Sequence, residues 1–232
     1  MEKTETVAGK TRGRPRTFDR ERALEAAMLV FWRHGYEATS LQDLTTAMQI
    51  APPSLYAAFG DKEQLFLAAV ERYRALPGGT GECVLQTTVN GREAIAQMLQ
   101  ATARELTNAS HPAGCMLILA ALSCSAAAAR VQAALASYRR ASETAIADRL
   151  VRARNDGELP ADCDIAGLAS FYMTVFEGMS IQARDGASRQ RLLAVAAAAV
   201  NAWPQAATAD AVKTAETKEK ARKPRARARR IR

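Results

Sequence analysis

Apolar positions recur at helical spacing along most of this chain, and period-two alternation of the kind that marks strands is almost absent. The first clear stripe lies in 19–34, where Leu24, Ala27, Met28, Phe31 and Trp32 fall on one face. Asp19 stands at its start and Gly35 at its end, the residue types that open and close helices. A short helix is expected over 40–47, opened by one of two overlapping capping boxes, Thr39 with Gln42 or Ser40 with Asp43. Residues 48–50 read as a turn. Pro52 then starts a second short helix ending at Phe59, because proline is tolerated in a helix only in its first turn. Gly60 closes it, a fourth helix runs from 61 to about 75, and 77–81 is a loop rich in glycine. Beyond the loop, helices are expected over about 90–108, 115–125, 127–155, 163–184 and 188–203. The fold class is all-α: an N-terminal three-helix helix-turn-helix domain and a helical C-terminal domain.

Two short helices joined by a tight turn and braced by longer ones make a helix-turn-helix, here 40–59. Leu41, Leu44, Ile50, Leu55 and Phe59 supply the packed side, and Ser54, Ala57 and Ala58 point outward. This unit presents its second helix to the major groove of DNA.

The same residues carry a family resemblance. Residues 27–40 fit the pattern A-x-x-L/V-F-x-x-x-G-Y/F-x-x-T-S/T, and 55–65 fit L-Y-x-x-F-x-x-K-E-x-L. The stretch 13–73, about a quarter of the chain, resembles the DNA-binding domain of the TetR family of bacterial transcriptional regulators. The resemblance implies roles for individual residues. Thr39, as a helix cap, and Tyr56 would contact phosphates, and Lys62 would add charge at the start of the fourth helix. Ser40 and Gln42 would face phosphate or a base edge. Arg14 and Arg16, with Arg12, would follow the minor groove as a flexible arm. Apart from the resemblance, Pro52 and Pro53 either approach the DNA or serve only to start the helix rigidly, and Ser54 takes part in base reading.

The chain departs from the family pattern at the turn and the recognition helix. Where glycine, then Ser or Thr, a basic residue and a small residue are usual, Gln49, Ala51, Pro52 and Pro53 stand here. A helix cap and a cationic contact are lost, and base reading shifts toward apolar contact, Ser54 and DNA shape.

The resemblance also implies a homodimer on a palindromic operator, released by a small-molecule effector of unknown identity that binds the C-terminal domain. Phe171, Val175 and Met179, with Leu193 and Ala197, are the expected dimer contacts of the last two helices. The expected domains are a basic arm at 1–16, the DNA-binding domain at 17–76, the effector and dimerisation domain at 82–204, and a basic tail at 205–232.

Charge sharpens this picture. The net charge of +8 sits in the ends: 1–16 carries five basic and two acidic residues, and 208–232 carries ten and three. What remains is close to neutral, so the ends are candidates for phosphate contact. A non-specific architectural DNA binder relying on its basic tails is therefore an alternative. So is a thiol-responsive regulator, because Cys115 and Cys124 precede and follow an apolar run. On one continuous helix those two thiols would face opposite ways.

Other chemistries find little support. The two histidines, His34 and His111, have no metal-ligand spacing, and there is no CxxC and no phosphate loop. Neither catalysis nor a cofactor is expected. The uncharged stretch 106–129 is broken by Asn108, His111, Pro112 and Gly114, too weakly apolar for a membrane span. With no apolar core near the N-terminus, a cytoplasmic location is expected.

Overall fold

The computed structural model describes residues 19–76 and 82–205, and these are helical throughout, without strands. Helix α1 (Arg20–His34) buries Ala23, Leu24, Ala27, Met28, Phe31 and Trp32. The Asp19 carboxylate accepts from the N–H groups of Glu21 and Arg22, both at 3.1 Å, which satisfies two of the donors a helix start leaves open. Gly35, at φ 79°, ends the helix with its N–H on the Phe31 carbonyl. Helices α2 (Leu41–Met48) and α3 (Pro52–Phe59) pack through Leu44, Met48, Leu55 and Phe59 onto α1 and α4 (Lys62–Arg74). Phe31 and Phe66 meet edge to face at 5.0 Å in the centre of that core. Arg72 adds exposed ion pairs from α4 to Glu21 and Glu25.

The second helical layer begins with α5 (Glu82–Thr87), a short helix that the polar pattern there did not announce. Helix α6 (Gly91–Leu106) packs against α10 (Arg189–Asn201), and α8 (Ala129–Asn155) against α9 (Ile165–Arg184). The Glu158 carboxylate caps α6 through the Gly91 N–H at 2.7 Å, and the buried Arg149 guanidinium donates to the Val89 carbonyl at 2.7 Å. Trp203 closes the same corner, its indole N–H on the Glu158 carbonyl.

The helix expected over 115–125 is corrected by the structure. Helix α7 spans only Met116–Leu119, and a 3-10 turn follows at Ala126–Ala128. Residues between them are drawn into contacts with the first domain: the Ala120 carbonyl accepts from the Tyr36 N–H at 2.7 Å, and Ser125 binds the Glu37 carboxylate. Tertiary bonds here override the helix preference of alanine and leucine. Cys115 and Cys124 therefore do not share a helix, and the opposite-face argument has no basis.

Candidate nucleic-acid interface

Helix α2 starts on a reciprocal cap. Ser40 Oγ accepts from the Asp43 N–H at 3.1 Å, while the Asp43 carboxylate accepts from the Ser40 N–H at 2.8 Å and from its hydroxyl at 2.6 Å. The Ser40 hydroxyl and then its N–H hold the Asp43 carboxyl below the usual range. Of the two overlapping capping boxes, this is the one that forms. Thr39 is not the cap: its hydroxyl donates to the Gly35 carbonyl at 2.6 Å and the residue is only 1% exposed. The hydroxyl is turned inward because the chain must double back from Gly35 onto α2. The first two helical N–H groups, those of Leu41 and Gln42, have no acceptor inside the helix, and both residues are exposed. Gln42 is exposed beside them.

The turn from α2 to α3 passes through Gln49 at φ 56°. A left-handed conformation at a side-chain-bearing residue is strained by roughly 1 kcal/mol, and glycine would relieve it. Pro52 and Pro53 occupy the first turn of α3, exposed, and Ala51 offers no side-chain cap. The N–H groups of Ser54 and Leu55 both donate to the Ala51 carbonyl, at 2.9 and 3.2 Å. Positions 52–55 of α3 thus present no free main-chain donor. Its outward face is Pro52, Pro53, Ser54, Tyr56 and Ala57, with Tyr56 50% exposed.

Lys62 opens α4 beside this face. Its ammonium stands 4.5 Å from the centre of the Tyr36 ring and 3.5 Å from the Glu37 carbonyl. Partial burial lowers its pKa, opposed by the Glu37 carboxylate. Gln42, Pro52, Pro53, Ser54, Tyr56 and Lys62 are all at least partly accessible on α2, α3 and α4. Arg12, Arg14, Arg16 and 206–232 lie outside the described residues.

The sequence-expected dimer contacts divide. Phe171 is 39% exposed on α9 and Val175 half-buried. Met179 points the other way, with no exposed surface, because it packs within the protomer core. The outward residues of that turn are Gly178, which has open space around it, and Ile181, 46% exposed. Leu193 and Ala197 line a groove of about 470 Å³ between α10 and α6, edged by Arg92 and Arg104.

A polar junction that sequence reasoning missed ties this domain to the second. The Trp32 indole N–H donates to the Gly114 carbonyl at 2.8 Å, and its ring stacks on His111 at 4.3 Å. Tyr73 donates its hydroxyl to Cys115 Sγ at 3.4 Å, and the Cys115 N–H donates to Ser180 Oγ at 2.8 Å. Gly114, at φ 84°, leaves no room for a Cβ, which would lie 2.9 Å from the Ser180 carbonyl. Trp32 was legible only as a member of the apolar stripe. Its polar partners lie too far along the chain for any local signal. Burial pushes the Cys115 thiol up, opposite to what a reactive sensor thiolate needs.

Among the described residues no group of His, Cys, Asp and Glu is placed to hold a metal, and no helix is long and apolar enough to cross a membrane.

Comparison with known proteins gives these features a context. Residues 23–69 match the family described as bacterial regulatory proteins, tetR family, and residues 91–199 match a tetracyclin repressor-like C-terminal domain. The chain is 39% identical to the HTH-type transcriptional repressor ComR of Escherichia coli K12, over 84% of this chain and 94% of that one. It is 33% identical to the repressor BdcR of the same organism, over 81% and 90%. Among solved structures, a cysteine mutant of the TetR family regulator CifR, complexed with 26-bp double-strand operator DNA, superposes with a TM-score of 0.78. That protein is 46% identical, and the match covers 83% of this chain and 100% of that one. With both domains matched and such relatives at nearly full length, the chain belongs to the TetR family of bacterial transcriptional regulators.

Proposed function

We propose that this protein is a dimeric transcriptional repressor that binds a palindromic operator through α2 and α3 and is released by a small-molecule effector. The observation that supports it most is the geometry of α3. It is a short helix with a packed inner side, Leu55 and Phe59, and an exposed outer side of small residues, held between α2 and α4. That shape enters a major groove end-on. The likeness to CifR, whose structure contains operator DNA, adds weight at 46% identity. Repressor relatives and the effector release usual in the family support the regulatory sense.

The roles follow from the geometry. Gln42 and the free N–H groups at the start of α2 would meet one phosphate, and the Tyr56 hydroxyl another. Lys62 would strengthen the field at the start of α4. Ser40 serves by fixing that start, and Thr39 by holding the turn before it. Phe171, Val175, Gly178 and Ile181 would meet their counterparts across a two-fold axis, since small and apolar outward residues permit close helix approach. Leu193 and Ala197 line the groove against α6.

Selection of bound sequences from a random double-stranded DNA pool tests the reading, with the full chain and with a 1–207 truncation. A shared palindrome from both is expected. Sequence-independent binding that vanishes with the tail would replace the repressor with an architectural binder.

A further inference from the structure

Base reading by α3 is the part of this interface least like ordinary major-groove recognition. Arg or Lys pairs with guanine, and Asn or Gln with adenine, through side-chain donors. Helix α3 carries none of these residues. Main-chain donors within the first turn of the helix are missing too. Pro52 and Pro53 have no N–H, and the Ser54 and Leu55 N–H groups are already committed to the Ala51 carbonyl. The exposed surface of the tip consists of Ala51, Pro52, Pro53 and Ala57, with the Ser54 and Tyr56 hydroxyls as its only side-chain polar groups.

We propose that this protein reads its operator through the 5-methyl groups of thymine, packed against Pro52, Pro53 and Ala57. The inference rests on the reading above, that α3 lies in the major groove. Among the four bases only thymine presents a methyl group on its major-groove edge, and a proline ring is a rigid apolar partner that loses no rotamer freedom on contact. Discrimination has a second source. A guanine or adenine edge set against Pro52, Pro53 or Ala57 would lose water from its acceptors and gain no donor from those side chains in exchange. Gln42 in the first turn of α2 and Gln49 in the turn lie outside α3, and in this proposal they serve phosphates and neighbouring positions.

Replacing thymine by deoxyuridine removes the methyl and leaves every hydrogen-bonding group in place. The full chain is titrated against its selected duplex, with each thymine replaced in turn, in one half-site and then in both. Burial of one methyl corresponds to about a fourfold affinity change, so one thymine position loses about fourfold in one half-site and about fifteenfold in both. The uracil penalty shrinks in Pro53→Ala, which removes part of the apolar surface and remains compatible with a helix start. A recovered palindrome in which every thymine tolerates uracil within twofold would overturn the proposal while leaving the repressor reading intact. Failure to recover any preferred sequence would overturn both.

Discussion

The guanidinium of Arg184, in the last turn of α9, donates to the main-chain carbonyl of Trp32 at 2.7 Å, 152 positions away along the chain. The same group reaches the carbonyls of Arg33 and Ala113, each at 3.0 Å. A cation supplied by the second domain thus satisfies the carbonyls left open at the end of α1, where the helix dipole favours positive charge. Two residues before the helix ends, Trp32 also holds the Gly114 carbonyl. The end of α1 is therefore a joint between the DNA-binding helices and the domain that follows. On the proposed function, an effector that altered the separation of two recognition helices would have to move or release this joint.

Arg184→Ala leaves three carbonyls without their donor. Bonds from a charged donor to partly buried acceptors suggest a loss of about 2 kcal/mol, or roughly 4–8 °C in a chain of this size. Arg184→Lys, a single point donor, should fall between. Thermal unfolding followed by circular dichroism decides the matter, and an unchanged midpoint for Arg184→Ala would remove the joint from the account.

Gln49→Gly is expected to stabilise the protein by up to about 1 kcal/mol. The left-handed φ of 56° at Gln49 costs more than glycine loses through its freer unfolded chain. Denaturant unfolding reads the difference. A destabilised glycine variant would mean that the Gln49 side chain makes a compensating contact.

The Tyr172 hydroxyl is fully buried and has no hydrogen-bond partner among the described residues. Burial pushes its pKa up to about 12. Tyr172→Phe removes a polar atom that nothing satisfies, so stability should hold or rise by about 1 kcal/mol. A lowered melting temperature would instead reveal a partner for the hydroxyl.

Glu37 links the loop before α2 to Ser125, and the Ser125 N–H followed by its hydroxyl lowers the Glu37 pKa below the usual 4.5. Because the folded-state pKa is depressed, the tether is complete above that value and is lost as pH falls through the depressed one. In Ser125→Ala the N–H remains, so the Glu37 carboxyl should titrate part of the way back toward 4.5. A carbon-detected titration of that carboxyl measures it, and an unmoved pKa would show that the tether is absent in solution.

Punctuation made the helix-turn-helix legible in the sequence. Gly35, Gly60 and Pro52 mark helix ends by backbone chemistry that depends on no distant contact, and the Leu24 to Trp32 stripe announces a buried face. The choice between Thr39 and Ser40 as cap was not legible, because both satisfy the same spacing. It is settled by the Thr39 hydroxyl finding the Gly35 carbonyl. Met179 shows the same limit in the second domain: helical spacing groups it with Phe171 and Val175 but cannot say which edge of the stripe faces the core. The break after Leu119 and the Arg184 joint depend on partners more than seventy residues away, beyond the reach of any local signal.

The most direct test of the central claim is the ratio of affinities of the full chain for its selected palindrome and for a scrambled duplex of equal length, followed over a salt series. Phosphate contacts weaken with salt on both duplexes, whereas base reading survives on one. A ratio of about a thousand or more that persists as salt rises is expected of an operator-specific regulator. A ratio near one at every salt concentration would contradict it.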